Sequence, residues 1–503
     1  MKKNAVFAVL AAVSLLCGAC GARLSKSQIE ALNQQSVAGV GSGSSGASGS
    51  GSSQTGGSGN STSGTGVAAG GATGSGSGGG SASGGGGASS GGSGGAVASG
   101  GGSSGGGAAL AAGGKVCPGG GTSHDPGVSA SEIDVGNVST LTGPVPGLFL
   151  GAQRGTQAFA SYINSVGGVC GRKLVVKSAD DNLDASQNAT ATQSLANQVL
   201  AFVGSFSVDD QGGAAVLQQD GIPDIGFALS PQRFNLPNNF SPQPEPVGWN
   251  IAPYIYFKQK YPDAAAHMAY FTENNATAEQ TGLAEVQALK SIGYQFVYSE
   301  EGIEPTQTNF DTEARNMQSH GVKGIVFQAT ASVYADMAKS LYNVGYLNQI
   351  QLPDWGAPAY DPSFVAQAGP AANGAILEQS LALYAGEDAG SIPEVALFDK
   401  WYTALYHSAP DIYATYGWLS GMLFVQGINA GGTPTRSALQ SGLSTITQFT
   451  GGGIVATDNP AKKTPAYCYI IIDVVNGKFV RDPADPKTGF DCANTPNYYL
   501  TNA

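Results

Sequence analysis

The 503-residue sequence has few charged residues, only four histidines and only six cysteines. Charged residues make up 12% of the chain, the formal net charge is −12 at pH 7, and no basic cluster occurs, which argues against a nucleic-acid partner. The histidines are scattered without H-E-x-x-H spacing, and no two cysteines have C-x-x-C spacing. We therefore predict no metal site, no cofactor and no enzyme, although a serine–histidine pair distant in sequence would leave no local pattern.

The first residues have the pattern of a secretory signal. Lys2 and Lys3 precede a short apolar run, and small residues follow it. Gly18-Ala19-Cys20 resembles a lipoprotein cleavage box, although Cys17 stands where such boxes usually have an aliphatic residue. We predict that residues 1–19 are a lipoprotein signal peptide and that Cys20 is lipidated. A plain signal peptide is the alternative.

A segment of almost only Gly, Ser, Ala and Thr runs from about Ser36 to Gly114, and the chain's 76 glycines crowd into it. Such a composition cannot bury enough apolar surface to offset the entropy cost of ordering. We predict that residues 20–114 comprise the anchor cysteine and a disordered tether that lets a folded head stand away from the membrane. The pattern Gly-Ala-Ser-Ser-Gly within it matches a hydrolase nucleophile motif only formally, because no strand or helix flanks it.

Four cysteines remain beside a lipidated Cys20: Cys117, Cys170, Cys468 and Cys492. An even number in an exported chain predicts disulfides, with three possible connectivities. Pairing between neighbours in sequence would join Cys117 to Cys170 and Cys468 to Cys492. The sequence leaves the other two connectivities open.

The stretch Val199–Gln232 predicts a β-α-β unit. It contains an apolar run (Val199–Val203), a small-polar loop (Gly204–Asp210), a helix that ends at Gly221, and a second apolar run whose loop ends at Ser230. In parallel sheets, ligands bind beyond the carboxyl ends of the strands, where both loops fall. The first loop opens a helix whose free N–H groups suit an anionic group such as a carboxylate.

Strands and helices alternate along the rest of the folded sequence, which begins near Ser129. The first series has predicted strands and helices at Glu132–Val138, Leu150–Val166, Lys173–Ser178 and Ala185–Gln198. The second series has them at Ala264–Phe271, Thr281–Ile292, Phe296–Glu300, Asn309–His320, Gly324–Gln328 and Val333–Val344. This alternation predicts an α/β fold with two doubly wound parallel-sheet lobes.

Several short motifs occur in the order of a known family. They are Thr142-Gly-Pro, Gly151–Phe159, Ile163–Leu174, Asp180-Asp181, Phe202–Ser205 and Gly221-Ile-Pro. From about Ser129 to the mid-480s, the chain resembles the extracytoplasmic solute-binding proteins of the branched-chain amino-acid (Leu/Ile/Val) ABC transporter type, with the type I periplasmic-binding fold. Each motif alone is weak, but their order and spacing together are specific to this superfamily.

The resemblance implies that the chain crosses between the two lobes three times, near Pro253, Leu381 and Thr450. Lobe one would then comprise residues 115–253 and 381–450, and lobe two residues 254–380 and 451–485. Helices at Leu397–His407 and Tyr416–Asn429 would return to lobe one, and a hairpin at Tyr467–Val475 and Lys478–Val480 would extend lobe two. Residues 486–503 would form a C-terminal tail with a disulfide.

In this family the solute binds in the cleft between the lobes. Carried over by position, the ligand-binding residues are Phe149, Ser205, Phe206, Ser207, Ala228, Ser230, Asn275, Thr330, Tyr360 and Tyr416. The serine loops would hold a ligand carboxylate through hydroxyl and backbone N–H groups. The structural alternatives are a helix-core role for Phe149, helix capping for Ser207 and ordinary loop polarity for Thr330.

One position departs from the family pattern. Relatives that bind amino acids hold the ligand's ammonium group with a carboxylate, and Ala357 is nearest to that position here. Because an unpaired buried ammonium is costly, either Asp361, Glu273 or Asp209 substitutes, or the ligand lacks the ammonium group. An aromatic acid, an amide or another small carboxylate would meet the second condition.

The resemblance implies a monomeric, lipid-anchored substrate-binding protein of an ABC importer. It would capture a small carboxylate or amino-acid-like solute by hinge closure and deliver it to permease subunits. The expected location is the outer face of the cytoplasmic membrane or the periplasm. A ligand-sensing receptor of the same fold is the alternative, and an enzyme or a wall-adhesive protein is favoured less.

Overall fold

The computed structural model describes Cys117 and residues 123–501, which belong to one compact unit. The predicted signal peptide, Cys20 and the Gly/Ser-rich tether lie outside the described residues. In the described part of the chain, no helix is both long and apolar enough to span a membrane.

Strands and helices alternate as the sequence predicts. The strands are β1 (Glu132–Ser139), β2 (Lys173–Asp180), β3 (Ala201–Val203), β4 (Asp224–Ile225), β5 (Asn239–Phe240), β6 (Gly248–Asn250), β7 (Met268–Glu273), β8 (Phe296–Ile303), β9 (Gly324–Gln328), β10 (Leu352–Pro353), β11 (Ile376–Gln379), β12 (Ile470–Val475), β13 (Lys478–Arg481) and β14 (Tyr498–Leu500). The helices are α1 (Leu150–Ser165), α2 (Ala185–Ala196), α3 (Gln211–Gln219), α4 (Pro231–Phe234), α5 (Ala252–Lys260), α6 (Pro262–Ala265), α7 (Ala276–Ser291), α8 (Asp311–Ser319), α9 (Ala331–Asn343), α10 (Pro362–Ala368), α11 (Pro393–Tyr406), α12 (Ile412–Gly431) and α13 (Arg436–Leu443).

The first sheet has the strand order β2-β1-β3-β4-β5, and all of its pairings are parallel. Its central strand β3 is buried along its whole length, as expected for a strand covered on both faces. Helix α12 returns to this lobe and packs against α1. A Cβ atom on Gly155 or Gly417 would collide with the backbone of the opposite helix, so glycine permits this close approach.

The second sheet has the strand order β10-β9-β7-β8 and is also parallel. A parallel bridge from Asp354 to Ile376 continues it into β11, which pairs antiparallel with the hairpin β12–β13. The predicted hairpin is therefore present. The structure confirms an α/β fold with parallel sheets.

Two predicted boundaries in lobe two were wrong. Helix α7 begins at Ala276 instead of Thr281, because the Asn275 side chain caps it by accepting the N–H of Ala278 at 2.8 Å. The strand predicted from Ala264 begins at Met268, because Pro262 starts the short helix α6 immediately before it.

The segments between the lobes lie against each other and against the C-terminal tail. Leu381 pairs antiparallel with Val455, so the second and third proposed crossings run side by side. In the tail, β14 pairs antiparallel with β6, which precedes the first proposed crossing. No sequence pattern predicts this pairing, since both strands are short and lie far apart in the chain.

The structure joins Cys117 to Cys170 and Cys468 to Cys492, with Cα–Cα separations of 4.9 and 4.4 Å. This is the pairing between neighbours in sequence. The second disulfide closes a loop of 24 residues and attaches the tail to the strand region of lobe two.

Candidate functional site

Five aromatic side chains meet at the carboxyl ends of the lobe-one strands; we call Phe149, Phe206, Phe227, Tyr413 and Tyr416 the ring cluster. The ring centroid of Phe206 lies 4.8 Å from that of Phe149 and 5.6 Å from that of Tyr416, with which it is stacked. Phe227 contacts Tyr416 at 4.5 Å, and Tyr413 contacts Phe149 at 4.8 Å. The site prediction missed Phe227 and Tyr413, although each stands within three residues of a predicted site residue.

The predicted serines lie beside the ring cluster and are buried. The Ser205 hydroxyl accepts the backbone N–H of Val138 at 3.0 Å, and the Ser207 hydroxyl accepts that of Asp209 at 3.0 Å. Ser230 caps α4 by accepting the N–H of Arg233 at 3.3 Å. All three hydroxyl oxygens thus accept hydrogen bonds from the backbone of lobe one, and Ser207 does so ahead of α3, whose N-cap is Asp210.

The carboxylate of Asp210 binds backbone N–H groups of the loop after β4. Its carboxylate accepts the N–H of Leu229 at 2.7 Å and that of Ser230 at 3.0 Å. Burial raises the pKa of this carboxyl group to about 6, although Arg233 and these hydrogen bonds act in the opposite direction. The resemblance assigns the loop of Ala228 and Ser230 to a ligand carboxylate. Two N–H groups of this loop therefore already bind a carboxylate of the protein itself.

Two of the predicted lobe-two residues, Asn275 and Thr330, contact their own lobe. Asn275 caps α7, and the backbone N–H of Thr330 donates to Glu273 at 3.2 Å. Tyr360 is buried and packs against Tyr384 and Phe479, each at a ring-centroid distance of 4.8 Å. The structure therefore gathers Phe149, Phe206 and Tyr416 in the ring cluster, and it gives Tyr360 separate ring partners, Tyr384 from the lobe-one range and Phe479 from the lobe-two range.

The two lobes touch directly beside the ring cluster. The Thr277 hydroxyl, in the first turn of α7, donates to the backbone carbonyl of Val208 in lobe one at 3.0 Å. The pKa of Tyr413 is raised by burial and further by Asp411, Glu273 and Asp361. Lobe-two carboxylates are therefore close enough to the ring cluster to act on its titration.

Of the carboxylates predicted as substitute anchors, Asp361 caps α10 by accepting the N–H of Ser363 at 2.6 Å. Burial raises the pKa of Glu273 to about 7, and burial also raises the pKa of Asp209. Glu273 is thus the one of the three that is both buried and close to Tyr413.

A second set of carboxylates was not predicted; we call Glu245, Glu285, Asp354 and Glu378 the acidic group. Three of its members surround the hydroxyl group of Tyr254, with oxygens of Glu285, Asp354 and Glu378 at 3.0, 2.8 and 3.4 Å. The available signal was weak: Asp354 directly follows β10, at the carboxyl end of a lobe-two strand.

The pKa values of the four carboxyl groups in the acidic group are all raised. Burial raises the pKa of Glu285 to about 8, assisted by the nearby Asp354, and burial raises the pKa of Asp354 to about 6. The pKa of Glu378 lies well above its usual range, first because of burial and then because of Asp354, Glu285 and Glu245. Desolvation raises the pKa of Glu245 to about 7.

Glu245 and Glu378 connect the acidic group to the ring cluster. The pKa of Tyr416 is raised well above its usual value by burial and then by Glu245, Tyr413 and Glu378. The Glu245 carboxylate accepts a hydrogen bond from the Gln243 side chain at 2.6 Å. The site thus combines apolar ring surface from lobe one with carboxylates from lobe two and from the first proposed crossing.

Comparisons with solved structures return the same fold. The chain is similar to a fatty acid ABC transporter substrate-binding protein from Thermomonospora curvata, with 17% identity, a TM-score of 0.61, and coverage of 73% of this chain and 94% of that one. It is similar to a branched-chain amino acid ABC transporter protein from Thermus thermophilus with bound valine, with 15% identity, a TM-score of 0.61, and coverage of 75% and 98%. It is also similar to the branched-chain amino acid substrate-binding protein LivJ from Streptococcus pneumoniae in complex with isoleucine, with 18% identity, a TM-score of 0.58, and coverage of 70% and 100%.

No curated protein sequence matches the chain. The family described as periplasmic binding protein matches residues 132–478, which is more than half of the chain and includes both sheets. The resemblance predicted from the order of short motifs is thereby confirmed. The chain belongs to the periplasmic binding protein family, whose members bind solutes and are not enzymes.

Proposed function

We propose that this chain is the substrate-binding protein of an ABC importer, which captures a small solute between its lobes by hinge closure. The observation that carries the proposal is the ring cluster, a set of packed aromatic side chains at the strand ends of lobe one on which lobe-two carboxylates act electrostatically. The Thr277–Val208 hydrogen bond supports closure, because it joins the lobes at the edge of this site. A solute that contacts both lobes would stabilise the closed form, which the permease then recognises.

The similar structures suggest two solute classes. Bound valine and bound isoleucine in two of them favour an amino-acid-like solute, and the fatty acid transporter protein favours a small carboxylate. Either class has an apolar body that the ring cluster would cover.

The proposed location follows from the N-terminal sequence and the family. Lipidation of Cys20 would hold the protein at the outer face of the cytoplasmic membrane, and residues 20–114 would act as a tether. The folded head would then reach its permease as a monomer without a membrane-spanning segment of its own.

The test has two parts. The exported protein is purified from its native source, and small molecules released on denaturation are identified by mass spectrometry. Uptake of the labelled compound is then measured in cells with and without the gene. We expect uptake to fall at least about tenfold without the gene, because the permease then receives no solute bound to this protein. Uptake should return when the wild-type chain is expressed. Unchanged uptake in the deletion strain would contradict the transport function.

A further inference from the structure

We infer that the cleft selects an amine, meaning a cationic nitrogen joined to an apolar body and without a carboxylate. The acidic group would hold the nitrogen, and the ring cluster would cover the apolar body. This inference rests on the proposed solute-binding function and assigns the solute to a third class, which has neither the carboxylate of a fatty acid nor that of an amino acid.

The first argument is the number of protons around the Tyr254 hydroxyl. Oxygens of Glu285, Asp354 and Glu378 lie within 3.4 Å of it, but a hydroxyl has only one proton to donate. The other two carboxyl oxygens therefore need protons of their own or a cation. The side-chain partners of these carboxyl groups are Tyr254 and Gln328, and Asp354 also accepts the backbone N–H of Gly356. No lysine or arginine in the described part of the chain forms an ion pair with them.

The second argument is an unpaired amide next to Glu245. Gln243 is 6% exposed, and its side-chain N–H donates to the Glu245 carboxylate at 2.6 Å. Its carbonyl oxygen Oε1 is buried and has no hydrogen-bond partner among the described residues. A buried acceptor without a donor is destabilising. An ammonium group supplies three N–H donors and could serve the Gln243 carbonyl and a carboxylate together.

The third argument is the position of the ring cluster. Glu245 and Glu378 both act on the titration of Tyr416, which stacks on Phe206 and contacts Phe227. A cation held by these carboxylates would therefore have aromatic faces beside it, which attract both cations and apolar groups. In the described residues, no group of three or more carboxylate, histidine or cysteine side chains is arranged to hold a metal ion, so we commit to an organic cation.

The fourth argument is that the N–H groups expected to bind a ligand carboxylate are already occupied. Asp210 already takes the N–H groups of Leu229 and Ser230. The carboxyl groups of Asp361, Asp411, Glu273, Glu245 and Glu378 act on Tyr384, Tyr413 or Tyr416, so a second carboxylate would meet repulsion. The same repulsion disfavours a zwitterionic amino acid relative to the amine of the same shape.

The inference predicts a pH dependence with a defined sign. The titratable groups that face Glu378 are Glu245, Glu285, Asp354, Tyr254 and Tyr416. Because the pKa values of the carboxyl groups among them are raised, part of the acidic group is protonated near neutral pH. A bound cation favours the ionised form and releases a proton, so amine affinity should rise with pH, by up to about tenfold per pH unit for one proton. An anionic ligand should show the opposite slope.

The experiment uses two triads of matched shape on the full mature chain. One is isoamylamine, isocaproate and leucine, and the other is phenethylamine, hydrocinnamate and phenylalanine. Isothermal titration calorimetry measures each affinity at about pH 6 and about pH 8, on either side of the raised pKa values. We expect the amine of at least one triad to bind at least about tenfold tighter than its acid and its amino acid, and more tightly at the higher pH.

Two variants check the site. Glu378→Gln keeps the size of the side chain and should lower amine affinity at least about tenfold, because it removes the cation's partner. Glu301→Gln changes an exposed carboxylate on β8 and should leave the affinity unchanged. The pH dependence of the wild-type chain tests the inference even if Glu378→Gln folds poorly.

The failures are distinguishable. Tighter binding of the acid or the amino acid in both triads, or an acidic molecule released from the native protein, overturns the amine inference and leaves solute binding intact. Binding of none of the six compounds, together with no small molecule released from the native protein, overturns the proposed function and the inference with it. A released amine supports both.

Discussion

The carboxylate of Asp210 accepts the backbone N–H of Ser230 at 3.0 Å, so lobe one supplies its own anion at the loop where the family resemblance expected the ligand's. The N–H of Leu229 donates to the other oxygen of the same carboxylate. This arrangement fixes the loop after β4 whether or not a solute is present. It also changes what the cleft can select, because the N–H groups are no longer free for a carboxylate.

Asp210→Ala should lower stability and admit anions. Removing the carboxylate leaves two N–H groups unpaired, which we expect to lower the free energy of unfolding by about 2–4 kcal/mol. Isothermal titration with isocaproate should then detect binding that is weaker or absent in the wild-type chain. Asp220→Ala is the control, since Asp220 is an exposed carboxylate after α3, and it should change neither quantity. Equal effects of the two substitutions would contradict this role of Asp210.

The buried pair Arg233–Asp224 gives a prediction about stability alone. Arg233 donates to both oxygens of Asp224, at 2.8 and 2.6 Å, and both side chains are almost fully buried. Asp224→Asn leaves a guanidinium group without its charged partner, and we expect the free energy of unfolding to fall by about 3–5 kcal/mol in chemical denaturation.

The matched control for that pair is Lys177→Met. Lys177 and Asp134 form a partly exposed pair at 2.8 Å, and its loss should cost less than about 1 kcal/mol because solvent screens it. A similar cost for both substitutions would mean that burial does not set the strength of the Arg233–Asp224 pair.

Sequence reasoning predicted those parts of the fold that leave a local pattern. Strands such as β1 and helices such as α1 show in the spacing of apolar residues, and the order of short motifs gave the family. The start of α7 was missed because its cap, Asn275, lies outside the periodic segment that signals a helix. The pairing of β6 with β14 was missed because a few residues per strand carry no distinct pattern.

The site was predicted less completely for a physical reason. Phe206 and Tyr416 followed from the resemblance, and the structure stacks them. Glu285, Asp354 and Glu378 lie 31, 100 and 124 positions after Tyr254 in the chain, and no local sequence pattern connects side chains so far apart. Asp210 was passed over because a carboxylate at the start of a helix looks like an ordinary cap until its partners in another loop are known.

Thr277→Val should weaken closure without unfolding either lobe. The substitution keeps the shape of the side chain and removes the hydrogen bond from its hydroxyl to the Val208 carbonyl. Such a bond contributes about 1 kcal/mol, so solute affinity should fall about fivefold. Small-angle X-ray scattering should show a larger radius of gyration at equal solute concentration. Thr190→Val is the control, because the exposed Thr190 hydroxyl donates to the Ser186 carbonyl within α2. Unchanged affinity in Thr277→Val would argue against this contact as a part of closure.

Asp458 gives a prediction about stability and pH. It lies in the third proposed crossing, where its backbone pairs with Phe449, and its side chain is 3% exposed with no hydrogen-bond partner for either oxygen among the described residues. Burial raises the pKa of this carboxyl group to about 9. Its value in the unfolded chain is about 3.9. Below about pH 4, Asp458 is neutral in the folded and the unfolded chain and does not lower the free energy of unfolding. As the pH rises toward 9, the unfolded chain releases the proton and the folded chain keeps it, so the free energy of unfolding falls.

Asp458→Asn keeps the size of the side chain and removes this charge, so it should raise the free energy of unfolding at pH 8 by at least about 2 kcal/mol and by much less at pH 5. Chemical denaturation at the two pH values measures the difference. Asp220→Asn, at an exposed carboxylate after α3, should be neutral at both. If Asp458→Asn destabilises the protein equally at both pH values, the carboxylate has a partner that holds it ionised, and the titration of Asp458 does not limit the stability of the crossing.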